Sequence, residues 1–190
     1  MKKFQAVLTA AVLTAGGVLS AGLVPAAAVG TGQSAVSRPG VVAAYGGRTI
    51  NLARDGWGGA ASCVVRSVDA VRCYRTHEEA NRATGYSRAT DELALANPGL
   101  ALPECSDGYV CLYEHIQGRG RRLMFRDDKW QNLGQYGFND VTSSWRNNQS
   151  SDAAGLARDN GGWGGRIWLS GKSYSSDLGA YNDWASSVIG

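Results

Sequence analysis

Two six-residue stretches concentrate oxygen ligands. Asn139-Asp140-Val141-Thr142-Ser143-Ser144 and Asn182-Asp183-Trp184-Ala185-Ser186-Ser187 each combine a carboxylate, an amide and hydroxyls, and they lie 43 residues apart. Each follows an aromatic residue, Phe138 or Tyr181. Hard cations such as Ca²⁺ take six to eight oxygen ligands, main-chain carbonyls and water included. Asx and Ser side chains also hold loops without any metal, by bonding to nearby backbone. A polar loop occurring once would favour the loop-holding role; repetition at matched positions favours the metal.

The repeat extends upstream. Asn132-Leu133-Gly134 precedes the first copy and Asp177-Leu178-Gly179 the second. Further back, Tyr113–Gly120 aligns with Arg158–Gly165 at an offset of 45. Short β-type runs recur between Gly- and Asn/Asp-rich turns: Tyr109–Tyr113, Arg122–Phe125, Ser144-Trp145 and Ile167–Leu169. Strands at this spacing predict an antiparallel sandwich. Two units of about 40 residues, each of about four strands, predict two Greek keys that bury their apolar faces on each other.

The motif (N/D)(N/D)xx(S/T)S, once per Greek key, resembles the βγ-crystallin calcium signature. The upstream aromatic-x4-aromatic-x-Gly pattern resembles that family's first hairpin, with Gly118 in place of one aromatic and Arg158 in place of another. The resemblance covers residues 105–190 and implies an all-β, βγ-crystallin-like double Greek-key sandwich. It also implies that each Ca²⁺ draws on both keys. One site would use the Val141 carbonyl, Ser143 and Asp183; its mate would use the Trp184 carbonyl, Ser186 and Asp140. Asn139, Asn182, Ser144 and Ser187 would fix loop shape. With the sequence Cys105-Ser-Asp-Gly-Tyr-Val-Cys111, the chain resembles secreted bacterial crystallin-like proteins of the streptomycete metalloproteinase inhibitor family. That implies a non-enzymatic extracellular peptidase inhibitor with a protease as partner, acting as a monomer. The resemblance supplies no reactive segment. The basic hairpin Gly118, Arg119, Gly120, Arg121 and Arg122 is the candidate inhibitory loop.

Compartment and composition agree with export. Residues 1–28 read as a signal peptide: Lys2 and Lys3, an uncharged apolar stretch from Ala6 to Val24, then Ala26-Ala27-Ala28. Its removal takes away two lysines and lowers the formal net charge from +3 to +1, which argues against nucleic-acid binding. No later apolar run is long enough to span a bilayer. Export places Cys63, Cys73, Cys105 and Cys111 in an oxidising setting. Three pairings are open. Two local disulfides, Cys63–Cys73 and Cys105–Cys111, are the simplest, and the C-x2-C spacing of a zinc site is missing.

The remaining segments read as follows. Residues 29–44 are a flexible lead-in. Residues 45–104 form a small disulfide-stapled module with a β-hairpin (62–66 and 71–75) and a short helix from His77 to about Ala83, opened by the capping box Thr76-His77-Glu78-Glu79. Asn97-Pro98-Gly99 and Pro103 mark a linker before residue 105. Catalysis finds little support. His77-Glu78-Glu79 lacks the second histidine of a zincin, and no G-x-S-x-G elbow occurs. Other readings of a secreted crystallin-like chain are a calcium-stabilised stress protein, a killer-type toxin and a cell-wall carbohydrate binder. The last would use Trp57 and Trp163, the tryptophans in Gly-rich turns.

Overall fold

The computed structural model describes residues 39–190. The export signal at 1–28 and residues 29–38 of the lead-in lie outside the described residues. Among the described residues, twelve strands form two sheets.

Eight strands carry the double Greek key. The first key contains β5 (Val110–Tyr113), β6 (Arg122–Phe125), β7 (Gln131–Asn132) and β8 (Ser144–Asn147). The second contains β9 (Gly155–Ala157), β10 (Arg166–Trp168), β11 (Ser173–Ser175) and β12 (Ser187–Ile189). In each key the fourth strand lies beside the first and the first beside the second, while the third crosses to the other sheet. The sheets therefore run β11-β8-β5-β6 and β10-β9-β12-β7. This is the double Greek-key sandwich that the repeat predicted, of the βγ-crystallin-like kind that the resemblance implied. Leu112, Leu123 and Phe125 of one sheet meet Leu156, Leu169 and Val188 of the other in a single core.

The first sheet does not stop at β6. Four strands extend it: β1 (Val42–Tyr45), β2 (Arg48–Asn51), β3 (Ser62–Ser67) and β4 (Ala70–Tyr74), in the order β6-β3-β4-β1-β2. Strand β3 runs parallel to β6, from Ser62 opposite Arg122 to Val65 opposite Phe125. The sequence reading therefore needs two corrections. Residues 45–104 are not a separate module, because one hydrogen-bonded sheet passes through the boundary at 104/105, and Trp57, Ile50 and Val65 belong to the same core as Leu112. The lead-in also ends earlier than residue 44: Val41 is buried and donates its N–H to Gln135 O at 2.8 Å, and β1 starts at Val42. Parallel pairing between distant segments leaves no local turn signal, so only the hairpins were legible.

Local signals within 45–104 hold well. The hairpin forms as β3–β4, with Cys63 opposite Cys73. Both local disulfides are present, Cys63–Cys73 and Cys105–Cys111. Helix α1 (His77–Thr84) starts where Thr76 Oγ1 accepts from Glu79 N, while the Glu79 carboxylate accepts from Arg75 N. It ends at Gly85, whose φ of +73° favours glycine. A second short helix, α2 (Glu92–Ala96), is capped by Asp91.

Helix α1 and the segment up to Tyr109 cover the back of the large sheet. Val64, Ala80, Tyr109, Cys111, Tyr113 and Met124 form a second apolar cluster there. Strands β5, β6 and β8 are consequently buried on both faces along their whole length; β5 reads as an unbroken apolar run, whereas β6 and β8 carry the buried Arg122 and Arg146. Among the described residues, no helix is long and apolar enough to cross a membrane.

Two arginines lie inside this cover, both fully buried. Arg122 donates to Ser62 Oγ (3.1 Å), Glu104 O (2.6 Å), His77 O (3.0 Å) and Asn81 Oδ1 (2.9 Å). Arg146 donates to Pro103 O (2.9 Å) and pairs with the buried Asp91 carboxylate. An isolated buried charge costs several kcal/mol, so these acceptors are obligatory. A fragment of residues 101–190, which contains both Greek keys but lacks Ser62, His77, Asn81 and Asp91, should show no cooperative thermal transition by circular dichroism. Residues 39–190 should show one. A fragment that melts cooperatively at the temperature of the longer chain would refute the single-body reading.

Candidate functional site

The two oxygen-rich stretches fold as a pair related by the pseudo-two-fold of the keys. Asp140 and Asp183 both adopt left-handed backbone, with φ of +52° and +53°. Asx residues reach this region most readily after glycine. Asp140 N donates to Ala185 O (3.0 Å) and Asp183 N to Thr142 O (3.1 Å), so each loop closes on the other.

The side chains expected to share a cation meet across this junction. Ser143 Oγ donates to Asp183 Oδ1 at 3.3 Å, and Ser186 Oγ donates to Asp140 Oδ1 at 3.1 Å. Oxygen ligands that each sit about 2.4 Å from one Ca²⁺ lie roughly 3 Å apart, so both pairs have a compatible spacing. Val141 and Trp184 stand between the partners along the chain and offer carbonyl oxygens. Two buried side-chain oxygens without a hydrogen-bond partner, Thr142 Oγ1 and Asn182 Oδ1, lie in the same loops. The residues present fit a calcium ion in kind and in placement.

The flanking residues shape the loops. Ser144 Oγ donates to His115 O (2.6 Å) and accepts from Gly118 N (3.0 Å). Ser187 Oγ donates to Asp159 O (2.6 Å) and accepts from Gly162 N (3.0 Å). The last serine of each motif thus ties down the hairpin of its own key. These bonds also set the true register of the repeat. Glu114 N bonds Arg121 O as Arg158 N bonds Gly165 O, and His115 N bonds Arg119 O as Asp159 N bonds Trp163 O. The offset is 44, not the 45 that glycine and aromatic matching suggested. Arg119 is therefore the counterpart of Trp163. Asn139 Nδ2 contacts Asp140 Oδ2 (2.6 Å), whereas Asn182 Nδ2 contacts Asp177 Oδ1 (3.1 Å).

The candidate inhibitory loop is only partly available. Arg122 is fully buried and cannot reach a partner, which corrects its assignment to the loop. Its position at the head of the apolar run Leu123-Met124-Phe125 was the available sign. Arg121 is half-buried, paired with Glu114 at 2.7 Å and lying over the Trp57 ring at 4.9 Å. The same Arg121 contact holds the Glu114 carboxyl below its ordinary range. Gly118 and Gly120 serve the backbone, with φ of +68° and +76°. A Cβ at Gly118 would lie 2.7 Å from Pro103. The exposed groups are His115, Gln117, Arg119 and Gly120. Gln117 N donates to Ser176 O (2.7 Å), and Gly120 O accepts from His77 Nε2 (3.0 Å). Both keys and α1 therefore hold this loop.

The aromatic candidates also divide. Trp163 is 71% exposed, as its turn implied. Trp57 is only 5% exposed, donates its indole N–H to Tyr136 O (2.7 Å) and stacks on Phe138 (5.5 Å), so it is core and not a carbohydrate platform.

Titratable groups mark the cover over the large sheet. Burial lowers the pKa of His77, and the charge of Arg122 adds to this. Burial alone would raise Asp91, but hydrogen bonds from Arg146, Ala94 N and the Tyr86 hydroxyl outweigh it and hold Asp91 below its ordinary value. Burial pushes the Tyr113 hydroxyl up to about 12.

Comparisons with known proteins found the following. Residues 101–170 match the model of peptidase inhibitor family I36. No curated protein matches significantly. Solved structures similar to the chain include a βγ-crystallin domain from work on the evolution of the eye-lens fold (27% identity, 48% of this chain and 91% of that one, TM-score 0.39). A βγ-crystallin from Ciona intestinalis matches at 26% identity over 43% of this chain and 98% of its own, TM-score 0.37. Spherulin 3a from Physarum polycephalum matches at 28% identity over 45% and 84%, TM-score 0.36.

A pH dependence follows from His77. A histidine with a lowered folded pKa binds fewer protons folded than unfolded, so acid favours unfolding. Its contribution is full above its ordinary value near 6.5 and is lost as the pH falls through that value toward the folded one. Urea denaturation should give a falling midpoint between about pH 7 and 5. His77→Gln should flatten that slope; an unchanged slope would remove His77 as the cause.

Proposed function

We propose that the protein is a secreted, non-enzymatic peptidase inhibitor of the crystallin-like type, with two Ca²⁺ ions locking its Greek keys together. The observation that carries the inhibitor reading is the match of residues 101–170 to peptidase inhibitor family I36. The two disulfides agree with an extracellular setting.

The inhibitory element is the loop tip His115–Gly120, with Arg119 the side chain that enters the protease cleft. Arg121 and Arg122 instead hold the loop to the body. Ser144, Ser176 and His77 bond its backbone, so little conformational freedom is lost on docking. A protease that accommodates the loop then meets a backbone that does not yield. In a panel of secreted metallo- and serine proteases, micromolar protein should inhibit at least one. Arg119→Ala should weaken that inhibition at least tenfold without changing the melting temperature. Absence of inhibition across the panel would overturn this function.

Each Ca²⁺ takes a carboxylate from one key and a hydroxyl and a carbonyl from the other: Asp183 with Ser143 and Val141, and Asp140 with Ser186 and Trp184. Bound cation replaces the serine-to-aspartate hydrogen bonds and clamps the junction of the keys. Affinity should be weak, on the order of 10⁻⁴–10⁻³ M as in extracellular modules. At about 10 mM Ca²⁺ each site then adds about 1–3 kcal/mol by mass action, a rise of several degrees in melting temperature. Calorimetry should record the binding, and the double variant Asp140→Ala, Asp183→Ala should abolish both heat and shift. No heat at millimolar Ca²⁺ would remove the metal from the proposal.

A further inference from the structure

The keys are near-copies, yet their outer edges are treated differently. In key 1 the edge strand β6 is paired: Arg122 N donates to Ala61 O at 2.8 Å, and β3 continues the parallel ladder to Phe125. The structural offset of 44 makes Arg166, Ile167 and Trp168 of β10 the counterparts of Arg122, Leu123 and Met124. Strand β10 pairs with β9 only and is the end strand of its sheet. Leu169 N bonds back to Ala154 O and Arg158 N to Gly165 O. Residues 165, 167 and 169 therefore face β9, and the main-chain groups of Arg166 and Trp168 face outward by alternation. Among the described residues nothing pairs with them.

The side chains at this edge repeat the contrast. Met124 is buried under Val64, whereas Trp168 is 55% exposed. Trp130 lies beside Trp168 with ring centroids 6.4 Å apart, packed on Gly162, and the Arg166 guanidinium sits 5.6 Å from the Trp130 ring. Arg122 receives four oxygen acceptors from the segment that covers it; Arg166 has one, Gly162 O at 2.6 Å. Arg166 and the exposed Arg158 form no ion pair among the described residues. Short length and an edge arginine are devices that guard a free strand against pairing. An exposed tryptophan does the opposite, and Trp and Arg are the residues that anchor interfaces.

We propose that the β10 edge is a docking site for an extended acidic segment of a partner protein, added to the sheet as a parallel strand. The segment reproduces on key 2 what β3 does on key 1. Its main chain pairs with Arg166 and Trp168, an apolar side chain covers Trp168 and Trp130 as Val64 covers Met124, and its carboxylates supply the acceptors that Arg166 and Arg158 lack. Strand addition draws affinity from main-chain bonds and selectivity from alternate side-chain contacts. This site lies on the other key from the His115–Gly120 loop, and its test does not depend on protease inhibition.

The probe is a seven-residue synthetic peptide of alternating glutamate and valine, added to the full mature chain. A second version carries N-methyl groups on alternate amides and cannot complete a ladder. Hydrogen exchange should show protection of the Arg166 and Trp168 amides by the first peptide and none by the second, with a matching change in indole fluorescence. Trp168→Ala and Arg166→Ser should each weaken binding at least tenfold while leaving the melting temperature in place, since both side chains are exposed. No protection at millimolar peptide would overturn the proposal. So would equal binding of the methylated peptide, which would place the contact on the face and not the edge. Protection that appears on concentrating the protein alone, with a doubled mass by light scattering, would assign the edge to a second copy. Protection by an oligosaccharide with the peptide inert would assign it to a glycan.

Discussion

The fold turns on the hydrogen-bonding demand of the Arg122 guanidinium. It lies inside the protein, on the strand that joins the crystallin-like half to the rest. A buried guanidinium is tolerated only when oxygens surround it. None of its four acceptors comes from the Greek keys: they are Ser62 on β3, His77 and Asn81 on α1, and Glu104 in the stretch before Cys105. Arg146 makes the same demand one strand pair away and is met by Pro103 and Asp91. The N-terminal segment is therefore a condition for placing these two charges, and the sandwich cannot shed it without stranding them.

That constraint also explains the difference between the keys. Covering key 1 buries β6 on both faces and fills its edge, so Met124 becomes core. Key 2 has no such cover among the described residues, and the same positions carry Trp168 and Arg166 at the surface. Gene-like repetition of a fold unit yields two equal edges; a single added segment can occupy only one. The asymmetry is thus built by residues 39–104, not by the repeat.

Much of the C-terminal half was legible because its signals are local or repeated. The Asn-Asp-x-x-Ser-Ser copies led to cross-key pairs that the structure brings to 3.1 and 3.3 Å, and short cysteine spacings led to both disulfides. Three things were hidden. Parallel pairing of β3 with β6 has no turn to announce it, since 60 residues separate Val64 from its partner Met124 and the register is set by side chains that meet only in the fold. Arg122 and Arg146 look like surface residues by type, and only their place in runs buried on both faces betrays them. Matching glycine to glycine slipped the hairpin repeat by one residue, because the conserved geometry there is a hydrogen-bond pattern and not a residue type.

The N-terminal segment acquires a role from these contacts. Loop 115–120 belongs to key 1 by sequence, yet His77 bonds Gly120 O and Pro103 packs on Gly118 so closely that no side chain would fit. Trp57 underlies Arg121, which in turn grips Glu114 at the base of the loop. Three parts of residues 45–104 therefore buttress an exposed loop whose backbone is tied at both keys. In the proposed inhibitor function, such a loop needs rigid support on the side away from its target. The added segment supplies it through the same α1 and the same 103–104 carbonyls that satisfy the buried arginines, so the contacts that fold the chain also hold the loop in shape.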